Sequence, residues 1–299
     1  MWFKQAQIFQ LQTPIAYEAD KLAEQLQPLA FRGCLPTFPF SYGWVSPLDE
    51  EDAPLAHAAN GCLLICLQFE EKVLPMAVVR QELDKKIKDI ELRGDRKMSQ
   101  KEKFTLKDEI THTLLPRAFS KLTRTYGYID TKSNQIVLDT TSAPKTEKFM
   151  EHLKKALEGI ATQPIVTSRL APLLTQWLIQ QNYPQTFAVE KSCVLADTNQ
   201  KNRVIRCQQQ DLFANSIQSF IKDNCEVKQI ALSWQDNIHF VLTENFSLLS
   251  IKFQEKVIEQ VKEMEPETKR QQFEADFFMM TGLFSSLLKD LLDVLKQDK

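Results

Sequence analysis

The residues best suited to chemistry in this chain are cations placed to hold phosphate. Between Lys85 and Lys107 the sequence carries Lys85, Lys86, Lys88, Arg93, Arg96, Lys97, Lys101, Lys103 and Lys107 against Asp89, Glu91, Asp95 and Glu102. The stretch Thr111 to Thr125 then holds Arg117, Lys121 and Arg124 with no acidic residue at all. Cations spaced four and three apart line one face if the segment is helical. Such a row suits phosphates, which need charge and donors but no base-reading side chains. Phe119, two residues after Arg117, is a large aromatic in a polar segment. It either plugs into this chain's own core or inserts into another chain or between bases. A second acid-free basic stretch joins Lys201, Arg203 and Arg206 and runs into Gln208-Gln209-Gln210, whose amides either bond phosphates or face water. Lys228 is a further candidate.

Signs of bond-making chemistry are weaker. His57, His112, His152 and His239 lack metal-ligand spacing, and no C-x-x-C, H-E-x-x-H, G-x-S-x-G, P-loop or G-x-G-x-x-G pattern occurs. Neither a metal nor a cofactor is expected, and the expected protein is not an enzyme. The alternative is a metal-dependent nuclease using carboxylates that the fold brings together, such as Asp236, Glu274 or Asp276. The acidic run Asp49-Glu50-Glu51-Asp52, close to Pro47 and Pro54, reads as an exposed loop.

Composition narrows the setting. A net charge of -2 means that any polyanion-binding patch is local, and seven glycines leave little room for a glycine-rich phosphate cradle. The start Met1-Trp2-Phe3-Lys4-Gln5 lacks signal-peptide regions and no apolar run is long enough to span a membrane, so a cytoplasmic setting is expected. The six cysteines, at positions 34, 62, 66, 193, 207 and 225, are expected to be reduced. Cys62 and Cys66 would share one face of a strand.

The elements that must present the cations follow from periodicity. A strand near Phe3 to Leu11, a helix near Ala16 to Leu29 and strands near Tyr42 to Val45 and Cys62 to Phe69 lead into helical composition from Ala77 to about Arg124. Gly94 and Met98-Ser99 split that stretch into an αα-hairpin, with Ser99 as N-cap and Glu102 at N3. Strands at Gly127 to Asp130 and Gln135 to Asp139 and a helix at Pro144 to Leu157 complete the first half. The second half reads as strands and helices in a similar order, ending in a long apolar helical stripe through Phe273, Phe277, Met280, Phe284, Leu287, Leu288, Leu291 and Leu295. The expected class is α+β, with two mixed α/β-sheet domains that the element order allows to be distant repeats. Residues 1–76 and 125–160 would form the first domain, 77–124 a helical finger inserted in it, and 161–299 the second domain with C-terminal helices.

Several motifs, in one order, resemble the bacterial RdgC family of recombination-associated proteins over essentially the whole chain. They are Trp2-Phe3-Lys4, Gly43-Trp44-Val45, Ala59-Asn60-Gly61 and Glu70-Glu71-Lys72-Val73-Leu74-Pro75, then Leu106-Lys107-Asp108-Glu109 and Leu114-Leu115-Pro116-Arg117-Ala118-Phe119-Ser120. Gln210-Asp211-Leu212, Phe273-Glu274-Ala275-Asp276-Phe277 and Met280-Thr281-Gly282 complete the set. The resemblance implies a homodimer closed into a ring by its fingers, with a positive hole that surrounds double-stranded DNA without reading its sequence. It leaves single-stranded DNA open as a second ligand, and it implies restraint of RecA-mediated recombination at the nucleoid. On this view Phe119 is the gate residue against the partner subunit and Arg117 a DNA or gate contact. One departure stands out: the family carries lysines just before Gln-Asp-Leu, where this chain has Gln208 and Gln209. Arg203 and Arg206 are the cations available to compensate.

Overall fold

The computed structural model describes the chain except residues 16–17, 49, 51, 95, 166–169, 201–202 and 298–299. It is a mixed α/β structure built on one large antiparallel sheet. In chain order come strand β1 (Ala6–Leu11), helix α1 (Ala19–Leu26), β2 (Phe40–Val45), β3 (Ala56–Ala59) and β4 (Cys62–Val73). Helices α2 (Met76–Gly94) and α3 (Gln100–Leu114) follow, then β5 (Phe119–Asp130), β6 (Gln135–Leu138), α4 (Ala143–Ala156) and β7 (Thr162–Pro164). The remainder is α5 (Ala171–Gln180), β8 (Phe187–Asp197), β9 (Val204–Cys207), α6 (Asn215–Lys222), β10 (Cys225–Trp234), β11 (Ile238–Thr243), β12 (Ser247–Phe253), α7 (Glu255–Lys262) and α8 (Lys269–Gln297).

Strands from both halves of the chain bond into a single sheet ordered β2-β4-β5-β6-β1-β12-β11-β10-β8-β9, with β3 also on β4 and β7 on β1. The join between the halves is narrow. Strand β1 meets β12 only at Ala6↔Leu248 and Gln7↔Ser247, helped by Ile251 N–H donating to the Lys4 carbonyl at 2.9 Å.

The apolar run Cys62-Leu63-Leu64-Ile65-Cys66-Leu67 is continuous because β4 is covered on both faces. Leu63, Ile65 and Leu67 pack with Leu22 and Leu26 of α1 and Phe149 and Leu153 of α4. Cys62 and Leu64 face the other way, into the core that contains Phe277, Met280 and Phe284 of α8. Gly127 on β5 lets α4 come close, since a Cβ there would lie 2.6 Å from Leu138 and 2.8 Å from Phe149.

Helix α8, about 43 Å long at 1.5 Å per residue, lies across the join. Its stripe Phe277, Met280, Phe284, Leu287, Leu288 and Leu291 is buried in one core with Leu64 and Tyr128 of the first half and Trp234, Ile238 and Phe240 of the second. Thr268 and Gln271 start the helix with reciprocal bonds of 3.1 Å, a capping box. Polar bonds fix its register: Phe3 N–H donates to the Met280 sulfur at 3.1 Å, Asn60 Nδ2 to Thr281 Oγ1 at 3.3 Å, and Trp234 Nε1 to Asp290 Oδ2 at 2.8 Å. Asn60 and Gly61, with φ of 54° and 75°, form the two-residue β3–β4 turn that presents this amide.

Three details differ from the sequence reading. The helical composition that ran to Arg124 ends at Leu114, closes in a 3-10 turn at Leu115–Arg117, and continues as β5 from Phe119. Pro116 removes the backbone donor that a continuing helix needs, and pairing with β4 decides the rest. The strand read from Gly127 therefore begins eight residues earlier, and β3 was not expected. The strand read near Phe3 to Leu11 is shorter and starts at Ala6, while the expected C-terminal helices are α7 and α8.

Burying Phe284, which is fully enclosed, predicts that Phe284→Ala costs about 3–5 kcal/mol in urea unfolding. A loss under 1 kcal/mol would show that α8 is not seated on the core as described. His57 lies with its ring centroid 6.5 Å from those of Phe273 and Phe277 and Nε2 3.9 Å from Glu274 Oε1, and burial pushes its imidazole below the ordinary value despite that carboxylate. A base depressed by folding binds its proton better when unfolded. Its contribution is full above the ordinary histidine value and is lost as pH falls through it. Stability should therefore drop between pH 7 and pH 5, and His57→Gln should flatten that drop; an unaltered pH profile in the variant would remove His57 as its source.

Candidate nucleic-acid interface

Helices α2 and α3 form an antiparallel hairpin with a small core of its own. Val79, Leu106 and Ile110 are buried there, with Leu74, Leu83, Ile87, Met98 and Leu114 against them. The tip is held by a capping box in which Ser99 N–H donates to Glu102 at 2.8 Å and Glu102 N–H donates to Ser99 Oγ at 3.3 Å. Arg96 bonds the same carboxylate at 2.5 Å, and these donors hold Glu102 down at a pKa of about 2. Glu82 takes Lys85 at 2.7 Å and Glu91 takes Lys103 at 3.9 Å. Lys86, Lys88, Arg93, Lys97 and Lys101 are exposed on the hairpin and make no ion pair among the described residues.

At the base of the hairpin, β4 and β5 stay paired from Cys62↔Asp130 out to Val73↔Phe119. Residues directly opposite share a face and successive residues alternate. Phe119, Lys121 and Thr123 therefore lie with Val73, Glu71 and Phe69 on the α4 face. Leu122 and Arg124 lie with Glu70 and Gln68 on the α8 face. The single helical face expected for Arg117, Lys121 and Arg124 does not exist: Lys121 and Arg124 are on opposite faces of a strand, and Arg117 ends the 3-10 turn.

Phe119 is 86% exposed, so it does not plug this chain's own core. Val73 and Phe40 are also exposed nearby in the strand pairings, and Phe40 packs edge-on to Tyr42, which stacks on Phe69 at 4.4 Å. This apolar surround was missed in sequence. The alternation Phe69, Glu71, Val73 along β4 was its available signal.

The remaining candidates differ in how free their charge is. Arg117, Lys121 and Arg206 are exposed and make no ion pair among the described residues. Arg124 donates from Nε to Gln68 Oε1 at 3.1 Å, and Gln68 itself is buried. Arg203 pairs with Asp197 at 3.2 Å and reaches Asp223 at 4.0 Å. Lys228 lies 3.2 Å from both Glu226 and Glu244, so its local surroundings are net acidic. Gln210 donates its backbone N–H to the Lys191 carbonyl at 3.1 Å and exposes its side chain. Lys201 lies outside the described residues. The structure thus brings Phe119, Arg117 and Lys121 together, and it sets Arg203, Arg206 and Gln210 at the far end of the sheet, around its edge strand β9.

Among the described residues no group of three or more His, Cys, Asp or Glu side chains could hold a metal ion. Of the carboxylates weighed for a nuclease, Asp276 pairs with the Met1 amino group and Glu274 accepts from Arg270 Nε at 3.1 Å. Asp236 sits in the β10–β11 turn with φ of 50°. A cleft of about 790 Å³ between α1, β2 and residues 50 and 52–55 is lined by Asp20, Glu24, Glu50 and Asp52, charge of the wrong sign for phosphate. Among the described residues no helix is long and apolar enough to cross a membrane.

A family model described as "Putative exonuclease, RdgC" matches residues 1–298. The chain belongs to the RdgC family. It is 36% identical over 296 residues to the recombination-associated protein RdgC of Yersinia enterocolitica, covering 99% of this chain and 98% of that one. The proteins of the same name from Yersinia pestis and Yersinia pseudotuberculosis match at the same identity and coverage. Much of what makes the sequence look like RdgC is packing. Gly43 lies where a Cβ would meet the Phe31 backbone at 2.4 Å, Trp44 is buried, and the Asn60 and Thr281 motifs touch each other. Other motif residues face solvent, Phe119 and Arg117 among them.

Since Phe119 touches little of its own chain, Phe119→Ala is expected to change the stability of the folded monomer by less than about 0.5 kcal/mol. A larger loss in urea unfolding at low protein concentration would assign Phe119 an intramolecular packing role.

Proposed function

We propose that this protein binds double-stranded DNA without regard to sequence, as a homodimer closed into a ring, and that occupying the duplex restrains RecA-mediated recombination. The observation that carries the reading is Phe119, 86% exposed, flanked by Arg117 and Lys121 at the base of a cationic hairpin in a family whose members are named recombination-associated. An apolar side chain so exposed gains from burial against a second chain. The exposed cations Arg117 and Lys121 beside it supply phosphate contacts that position without reading bases.

In this reading the hairpin is a finger that closes the ring, with Phe119 as gate. Arg117, Lys121, Arg124 and the exposed hairpin lysines contact DNA near the gate, and Arg206 and Gln210 contribute at the other end of the sheet. Arg203 and Lys228, each held by carboxylates, contribute less. Closure explains how a chain of net charge -2 retains a polyanion, because a closed ring holds what local charge would release. The protein does no chemistry on DNA, needs no cofactor and works in the cytoplasm on nucleoid DNA.

Unrelated duplexes should bind with equal affinity, and affinity should fall steeply with added salt. Arg117→Ala should lower the slope of log K against log salt by about one, whereas Lys228→Ala should leave it unchanged. Strong preference for one sequence, or no DNA binding at low salt by an intact dimer, defeats the reading. Phe119→Ala should weaken dimerisation and retention on circular DNA, and a single-stranded competitor measures whether that ligand is shared.

The exonuclease in the family description favours a second reading, a metal-dependent nuclease. Incubation with duplex and single-stranded DNA plus Mg²⁺ or Mn²⁺ separates the two. Degradation abolished by Asp236→Asn, Glu274→Gln or Asp276→Asn would establish it.

A further inference from the structure

Five of the six cysteines are buried, and two of them face each other across paired strands. Cys193 on β8 lies directly opposite Cys207 on β9, and both are free and buried. Directly opposed residues of antiparallel strands have Cα atoms about 4.5–5.5 Å apart, inside the roughly 4.4–6.8 Å window that a disulfide spans. No other cysteine in a strand has this relation. Cys62 is opposite Ala59 and Asp130, Cys66 opposite Val45 and Tyr126, and Cys225 opposite Asp197.

Position in the sheet decides whether such a pair can react. Strand β9 is a four-residue edge strand bonded only to β8, so it opens at the cost of few bonds. While it is closed, burial and the neighbouring Cys207 push the Cys193 thiol up to about 12. A thiol in that state is a poor nucleophile at neutral pH. Fraying of β9 removes the burial and admits solvent.

We propose that Cys193 and Cys207 are a reversible dithiol modification site, converted to an intramolecular disulfide by exchange with a low-molecular-weight disulfide. On opening, the Cys207 thiol loses its proton and attacks the disulfide RSSR, forming a mixed disulfide and releasing RS⁻, which takes up that proton. Cys193, likewise deprotonated, attacks the Cys207 sulfur and expels the second RS⁻. Two protein thiols are oxidised and one RSSR is reduced to two RSH, a balanced two-electron exchange. The product fastens β9 to β8. Arg206, exposed beside buried Cys207, is carried on the fastened strand, and exposed Gln208 follows its end. The proposal does not depend on DNA binding.

The full chain is incubated with oxidised glutathione, denatured, alkylated and digested. The expected product is a peptide linked through Cys193 and Cys207, reversed by dithiothreitol, with amide exchange across Val204–Cys207 slowed about tenfold. Cys193→Ser should halt at a glutathione adduct on Cys207. Both thiols alkylating as freely as in untreated protein, a link to Cys225 or to a second chain, or unaltered exchange in the linked protein would each overturn the proposal. Mapping on the unaltered chain decides the linkage even if the serine variant does not fold.

Discussion

Strand β1 meets β12 through two paired residues, and the apolar face of α8 is laid across that join. Two ladder pairs contribute little net free energy, because their donors and acceptors would otherwise bond water. The stripe from Phe277 to Leu291 removes large side chains from water against strands of both halves at once, and that is what couples the halves. Sequence-distant groups depend on the same placement: the Phe3 backbone, the Asn60 amide and the Trp234 indole each bond a different position along the helix. If α8 shifts by a turn, all three are lost together.

The hairpin obeys other physics. Its core is three buried residues and a few neighbours, so most of its surface is free to carry charge. The Ser99–Glu102 box and short-range pairs such as Glu82–Lys85 tie the hairpin locally. Cations crowd onto it without repelling anything the fold needs, while the acidic side chains Asp20, Glu24, Glu50 and Asp52 line a cleft beside α1. Charge separation of this kind is how a chain near neutrality still presents a cationic element.

Much of the fold was legible because its signals are local. Alternation and β-branching marked most strands, Ser99 with Glu102 marked a helix start, and the period of the C-terminal apolar residues marked α8. The stretch from Leu115 to Arg124 was misread as helix because Lys, Arg, Leu and Thr suit either state. Pro116 and the partner strand β4 settle it, and the partner is more than forty residues away. The same limit applied to the site. Arg203, Arg206 and Lys228 look alike in sequence, yet Asp197 holds one, Glu226 and Glu244 hold another, and Arg206 makes no ion pair among the described residues.

By itself the sequence determined the family, the residue types available for holding phosphate, the capped hairpin that bears many of them and the apolar stripe that had to be buried. These follow from composition, spacing and motif order, which need no partner in space. Only the tertiary structure decided that both halves share one sheet, that Lys121 and Arg124 point to opposite faces, that Phe119 is left in solvent and that Cys193 faces Cys207. Each of those depends on which strand lies beside which, and strand register is set by contacts between residues far apart in the chain.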